Sequence, residues 1–252
     1  MPADIPALLP DLNDRVALVT GGSRGIGRAI AIALASAGAA VAVNYRQRAD
    51  EAAQVVALIE GAGGRALAVR ADVSAAGEVA RMIAEVESGL GAIDVLVNNA
   101  GTGTFYDIDA LTEAEFDRTL AVNLKSAFLC TQVVLPGMRM RHWGRIVNLS
   151  SVAARGAGAV GVHYNASKAG LEGLTRGYAA RVARDGVTVN AVAPGPVDTE
   201  MAAPLKAANI AERLPVGRLG APEEVAQIVL MVVGNGFVTG QTIAVNGGVG
   251  FI

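Results

Sequence analysis

The chain has 252 residues, of which 52% are hydrophobic and 17% charged, and its formal net charge is -2. That length suits one large α/β unit with its own core, and the composition excludes collagen-like and disordered classes. Charges of both signs are interspersed, so the chain offers neither the basic field that nucleic acid demands nor a polybasic arm for a membrane.

The opening "MPADIPALLP" contains no Lys or Arg, unlike a secretory leader, and residues 1–14 are expected to form a loose arm before the first strand. From there short β-branched runs recur: "VALVT", "AVAVNY", "ALAVRADV", "DVLVNNAG", "RIVNLSS", "TVNAVAPG" and "TIAVNGG". Strands buried on both faces have this character. The spacers "SRGIGRAIAIALASAGA" and "EAAQVVALIEGAGG" carry helical apolar spacing and end in glycine, as crossover helices do. The alternation predicts one Rossmann-type, doubly wound parallel sheet of about seven strands with helices on both faces, filling residues 15–252 as a single domain. The weakly polar stretch from Ala29 to Val43 is broken by Ser36 and Gly38, so it reads as helix, turn and strand instead of a membrane span. The single cysteine, Cys130, lies in the apolar run "AFLCTQVVL" and is expected to be a small buried hydrophobe in a reducing compartment. A soluble, cytoplasmic protein is therefore expected.

Such sheets bind ligands beyond the carboxyl ends of their strands, where this chain concentrates polar and glycine residues. After the first run comes "TGGSRGIG", a turn opening a helix, in which Gly21, Gly25 and Gly27 let the backbone approach phosphate. A tight ligand-free turn would look the same, but the absence of "GK[ST]" disfavours an NTPase. NAD-binding folds often place Asp or Glu on the ribose 2′-hydroxyl about 20 residues further on. Here the second run ends in Asn44, Tyr45 and Arg46. With no carboxylate there, Arg46 together with Arg24 of the turn is expected to pair with a 2′-phosphate, which selects NADPH/NADP+.

"YNASK" places Tyr164 and Lys168 four residues apart, on one face of a helix that continues through "AGLEGLTRGYAARVA". A tyrosine of pKa about 10 is a poor base at neutral pH, and a neighbouring ammonium is expected to lower that value. Alone the pair would also fit simple packing. Ser151, at the end of "RIVNLSS", adds a hydroxyl able to hydrogen-bond a carbonyl oxygen.

With "TGGSRGIG", "NNAG", Ser151 plus "YNASK", and "PGPVDT" in this order, the chain resembles the short-chain dehydrogenase/reductase family from about Arg15 to Gly248. The resemblance implies a ketone reductase in which Tyr164 is the general acid, Lys168 tunes it and bonds the nicotinamide ribose, and Ser151 polarises the substrate carbonyl. Asn123, in "LAVNLKS", would kink a helix and hold a water of the proton relay. Ser23 and Ile26 would join Gly21, Arg24, Gly25 and Gly27 around the dinucleotide, with Tyr45, Arg46, Asp72, Val73, Asn99, Ala100 and Gly101 on the adenosine side. Pro194, Gly195, Val197 and Thr199 would flank the nicotinamide, beside a mobile substrate lid over residues 197–215. No metal is implied.

"VNYRQRADEAAQVV", "GRIVNLSS", "GRLGAPEEVA" and "VTGQTIAVNGG" look most like the 3-oxoacyl-[acyl-carrier-protein] reductase group, which implies a homotetramer. Two departures bear on the substrate. The lid and the "VVGNGFVTG" region look trimmed, and Asp185 stands where that group commonly carries a basic residue. The expected substrate is a small-molecule ketone or its alcohol: a 3-oxoacyl compound, a ketoester or another free ketone. Two alternatives remain at this level, an NAD-dependent alcohol, sugar or steroid dehydrogenase and a non-catalytic dinucleotide-sensing or scaffold protein of the same fold.

Overall fold

A computed structural model describes residues 10–250. All seven apolar runs become strands: β1 (Val16–Val19), β2 (Ala40–Tyr45), β3 (Ala66–Arg70), β4 (Val95–Asn98), β5 (Gly144–Leu149), β6 (Val187–Pro194) and β7 (Thr242–Val245). They pair in parallel in the order β3-β2-β1-β4-β5-β6-β7. The order reverses between β1 and β4, so the loops leaving these two strands diverge and open a crevice at their carboxyl ends.

The pleat explains why the strand runs are mostly apolar. Ala17 and Val19 face one layer, where Ile30 and Leu34 of α1 (Gly25–Ser36), Val55 and Ile59 of α2 (Ala49–Gly61) and Val225 and Val229 of α8 (Pro222–Gly234) pack. Val16 and Leu18 face the other, made by Val79, Met82 and Ile83 of α3 (Ala76–Gly89), Cys130 and Met138 of α5 (Ser126–Met140) and Val182 of α6 (Val162–Val182). Both faces being covered, alternation gives way to continuous hydrophobicity. Cys130 is fully buried, and desolvation pushes its thiol up to about 12, so it packs as a small hydrophobe.

The first nine residues of the expected arm lie outside the described residues. The rest of it docks: Leu12 is buried and its amide donates to the Ala37 carbonyl at 2.8 Å. A 28-residue helical stretch, Glu113–Met140, is long and apolar enough by composition to cross a membrane. Here Ala127, Cys130, Thr131, Val134 and Met138 of that stretch are buried within the chain, as in a core helix. It is not uniform. Between α4 (Glu113–Leu120) and α5, residues Ala121–Lys125 form a π turn, the kind of local widening that recurs at functional sites.

Candidate active site

The glycine turn is shaped by close approach. Gly25 has φ +53, a left-handed conformation that a side chain would strain, and a Cβ on Gly27 would collide with the Gly21 carbonyl and the Asn99 amide. Asn99 fixes the turn from the neighbouring strand end: its Nδ2 donates to the carbonyls of Thr20 (2.9 Å) and Gly21 (3.0 Å). Thr20 Oγ1 accepts in return from the amides of Asn99 and Ala100, both at 3.0 Å. Helix α1 then begins with no side-chain cap, so its first N–H groups are left for a ligand in the crevice. Asn44, buried at the end of β2, accepts from the Gly21 amide and donates to the carbonyls of Val69 and Ala71.

At the end expected to take the adenosine, the structure commits each cation to a carboxylate. Arg46 pairs with Asp72 at 3.5 Å, while Arg24 pairs with Glu200, which also meets Arg48 at 3.4 Å. Asp72 has its carboxyl held below the usual range, burial opposing the hydrogen bonds from Ser74 and the nearby Arg46 that lower it. Arg24 and Arg46 thus line one wall without sharing a partner, and Arg48 joins them, a residue that the dipeptide spacing of "RQR" could have suggested. Glu200 could not be foreseen, because it reaches the turn from the far side of the fold.

Tyr164 and Lys168 project from α6 toward Ser151, which follows β5. Tyr164 lies beside Ser151, close enough for the serine to work against the rise of the phenol pKa, and Ser151 Oγ accepts from the Ala153 amide at 3.1 Å. Lys168 is buried, donates from Nζ to the Leu149 carbonyl at 2.7 Å, and stands 5.6 Å from the centre of the Tyr164 ring. The expected lowering of the tyrosine is reversed here. Burial raises the Tyr164 phenol, the nearby Ser151 opposing it, and burial pulls Lys168 down to about 8. Desolvation disfavours both charged forms, and it outweighs the attraction that spacing alone suggests.

Asn123 sits in the π turn, buried. Its Oδ1 accepts from the Thr102 amide at 2.8 Å, and its Nδ2 donates to the Thr102 carbonyl at 2.9 Å and to Ser167 Oγ at 3.1 Å. The expected helix distortion is therefore present, and it braces the segment after "NNAG" against α6.

These groups line one cleft of about 1040 Å³. Every candidate residue borders it except Asn123, which lies just behind the wall at Thr102. The cleft continues past Tyr164 into an apolar recess formed by Phe105, Val152, Val160, Met201, Leu205 and Ile210. Three of these belong to the segment expected as a lid, which contains the one-turn helix Glu200–Ala202, α7 (Ala203–Ala207) and a second such turn, Ile210–Arg213.

A dinucleotide fold with a hydroxyl, a phenol and an amine converging at the strand ends is the architecture of an oxidoreductase. The family described as short chain dehydrogenase matches residues 15–210. A 3-oxoacyl-[acyl-carrier-protein] reductase of Synechocystis sp. is 42% identical over 94% of this chain and 97% of its own. An acetoacetyl-CoA reductase of Rhizobium meliloti is 44% identical over 93% of this chain and 98% of its own. Among solved structures, a blue fluorescent protein from a metagenomic library in complex with NADPH superposes with a TM-score of 0.88 at 37% identity, covering 94% of this chain and 98% of that one. The chain belongs to the short-chain dehydrogenase family, oxidoreductases that work with a nicotinamide dinucleotide. The donor set fits such a group: a glycine turn with an uncapped helix end for the diphosphate, and Lys168 and Thr199 farther along the same cleft.

Proposed function

We propose that this protein is an NADPH-dependent reductase that converts a ketone to a secondary alcohol, reversibly, with Tyr164 as the general acid. The observation that carries the proposal is the Ser151–Tyr164–Lys168 cluster at the junction of the dinucleotide cleft and the apolar recess. The bound nicotinamide supplies the hydride. Ser151 orients the substrate oxygen toward the Tyr164 hydroxyl, and the raised phenol stays protonated at neutral pH, ready to donate as the alkoxide develops. Lys168, charged below about pH 8, stabilises the phenolate left behind and bonds the nicotinamide ribose. Asn123 spends its side chain on Thr102 and Ser167, which braces the cleft wall beside the proton donor.

The choice of NADPH is supported by Arg24, Arg46 and Arg48 on the adenosine wall and by Asn44 and Tyr45 at the end of β2, where a 2′-hydroxyl would need a carboxylate. The complex of the related blue fluorescent protein with NADPH agrees with it. Relatives named as 3-oxoacyl-[acyl-carrier-protein] and acetoacetyl-CoA reductases support a 3-oxoacyl compound as substrate, and a ketoester or another free ketone follows from the trimmed lid alone. Asp185, expected to weaken the docking of a carrier protein, is paired with Arg139 at 2.6 Å just before β6, at the amino-end edge of the sheet and away from the cleft, so it does not bear on that choice. Exposed Phe128 and Val133 on α5 and the open face of α6 support a homotetramer, and the single buried thiol fits a reducing cytoplasm. Purified protein assayed with NADPH and NADH against ketoesters, diketones, cyclic ketones and acyl thioesters tests the proposal. Failure to oxidise NADPH with any of them sinks it.

A further inference from the structure

Ser151 is followed by "VAARGAGAVG", a loop whose Gly156, Gly158 and Gly161 leave it intrinsically pliable, with φ +64 and +138 at the last two. The same loop walls the substrate recess with Val152 and Val160. Helix α6 grips it at two places seven residues apart, hence on one face of the helix. At the first, Asn165 Nδ2 donates to the carbonyls of Gly156 (2.9 Å) and Ala157 (2.6 Å). At the second, one turn beyond Lys168, Glu172 is buried with both carboxylate oxygens engaged: Oε2 accepts from Arg155 Nε at 2.9 Å and Oε1 from Ser150 Oγ at 3.2 Å. Neither residue belongs to the cluster that donates the proton.

We propose that Glu172 and Arg155 are positioning residues: the ion pair between the buried Glu172 and the partly exposed Arg155, with Asn165 as its second point, clamps the Ser151 loop along α6 and so sets the Ser151 hydroxyl against Tyr164. A carboxylate hidden this deeply requires a fixed cation, and the fixed cation here is the loop itself. The proposal rests on the ketone-reductase reading for its kinetic consequence but not for its structural one.

The test is hydrogen exchange and steady-state kinetics on the intact protein. The Ala154, Arg155 and Gly156 amides are hydrogen-bonded to the Ser151 and Val152 carbonyls and report the order of the loop directly. Arg155→Ala and Glu172→Gln should speed their exchange and lower kcat by about ten- to a hundredfold, the scale of a misplaced hydroxyl, while the Kd for NADP+ changes by less than about twofold. Arg155→Lys, or guanidinium added to Arg155→Ala, should restore part of kcat. Should a single variant fail to fold because it orphans a buried charge, Arg155→Met/Glu172→Leu removes both charges together and is expected to show the same faster exchange and slower turnover. Wild-type exchange at these amides, or wild-type kcat, in the folded variants overturns the proposal. Were the wild type inactive toward every ketone, the reductase reading would fall and the exchange data would still decide the clamp.

Discussion

At the residue scale, the central question is who holds the proton. Tyr164→Phe should keep the fold and bind NADP+ with unchanged affinity, yet lose at least the ~10²- to 10⁴-fold of an acid contribution in kcat; near wild-type turnover would remove Tyr164 from that role. The pH dependence follows from Lys168. Its charged form assists the proton donor, and burial brings its pKa down to about 8, so kcat for reduction should hold on the acid side and decline as pH rises through about 8. A kcat flat to pH 10 would contradict this. Arg48→Ala should narrow the preference for NADPH over NADH through KM for NADPH, by about tenfold if one charge-assisted hydrogen bond is lost. An unchanged ratio would remove Arg48 from the phosphate wall. Residue identities at these positions were legible because the motifs are short and contiguous. The direction of the Tyr164 shift was not, since spacing conveys charge but not desolvation. Glu172 stayed hidden for a related reason: at helical spacing from Lys168 it looks like one more polar position.

At the element scale, all seven strands were visible as runs because two-sided burial keeps them mostly apolar, with only isolated polar positions such as Asn148 and Asn190 inside them. The π turn was expected only through resemblance. Nothing in "LAVNLKS" departs from ordinary helical patterning, and the widening becomes intelligible only once Thr102 and Ser167 flank the buried amide. Helix α6 shows a division of labour in its small residues. Gly170 packs on Leu124 of its own chain, whereas a Cβ on Gly173 would meet nothing within 4 Å. If α6 pairs with its counterpart in the proposed tetramer, the open side around Ala166, Ala169 and Gly173 is where the helices approach. Gly173→Glu should therefore leave a folded chain of lower assembly state by light scattering, and a variant that remains tetrameric would move the interface elsewhere.

At the scale of the whole molecule, substrate choice depends on what covers the cleft. Arg139, Arg141, Arg145 and Asp185 lie at the amino ends of β5 and β6, on the edge away from the cleft, so they do not decide the docking of an acidic carrier protein, and the trimmed lid is what favours a free ketone. Ketoesters or diketones should be reduced with kcat/KM at least comparable to that for an acetoacetyl carrier-protein thioester. A hundredfold preference for the thioester, falling steeply with salt, would restore a carrier-protein substrate. The contact between Arg24 and Glu200 has a last consequence, one of sequence in time. It joins the first βα turn to the segment after β6, and a Cβ on Gly25 would stand only 3.3 Å from Thr199, so the glycine turn and the start of the expected lid meet over the cleft. If an entering dinucleotide parts them, a ketone arriving first finds its seat unfinished, and the expected outcome is ordered turnover, nucleotide first in and last out: NADP+ should inhibit competitively against NADPH, and the alcohol product should inhibit noncompetitively against it.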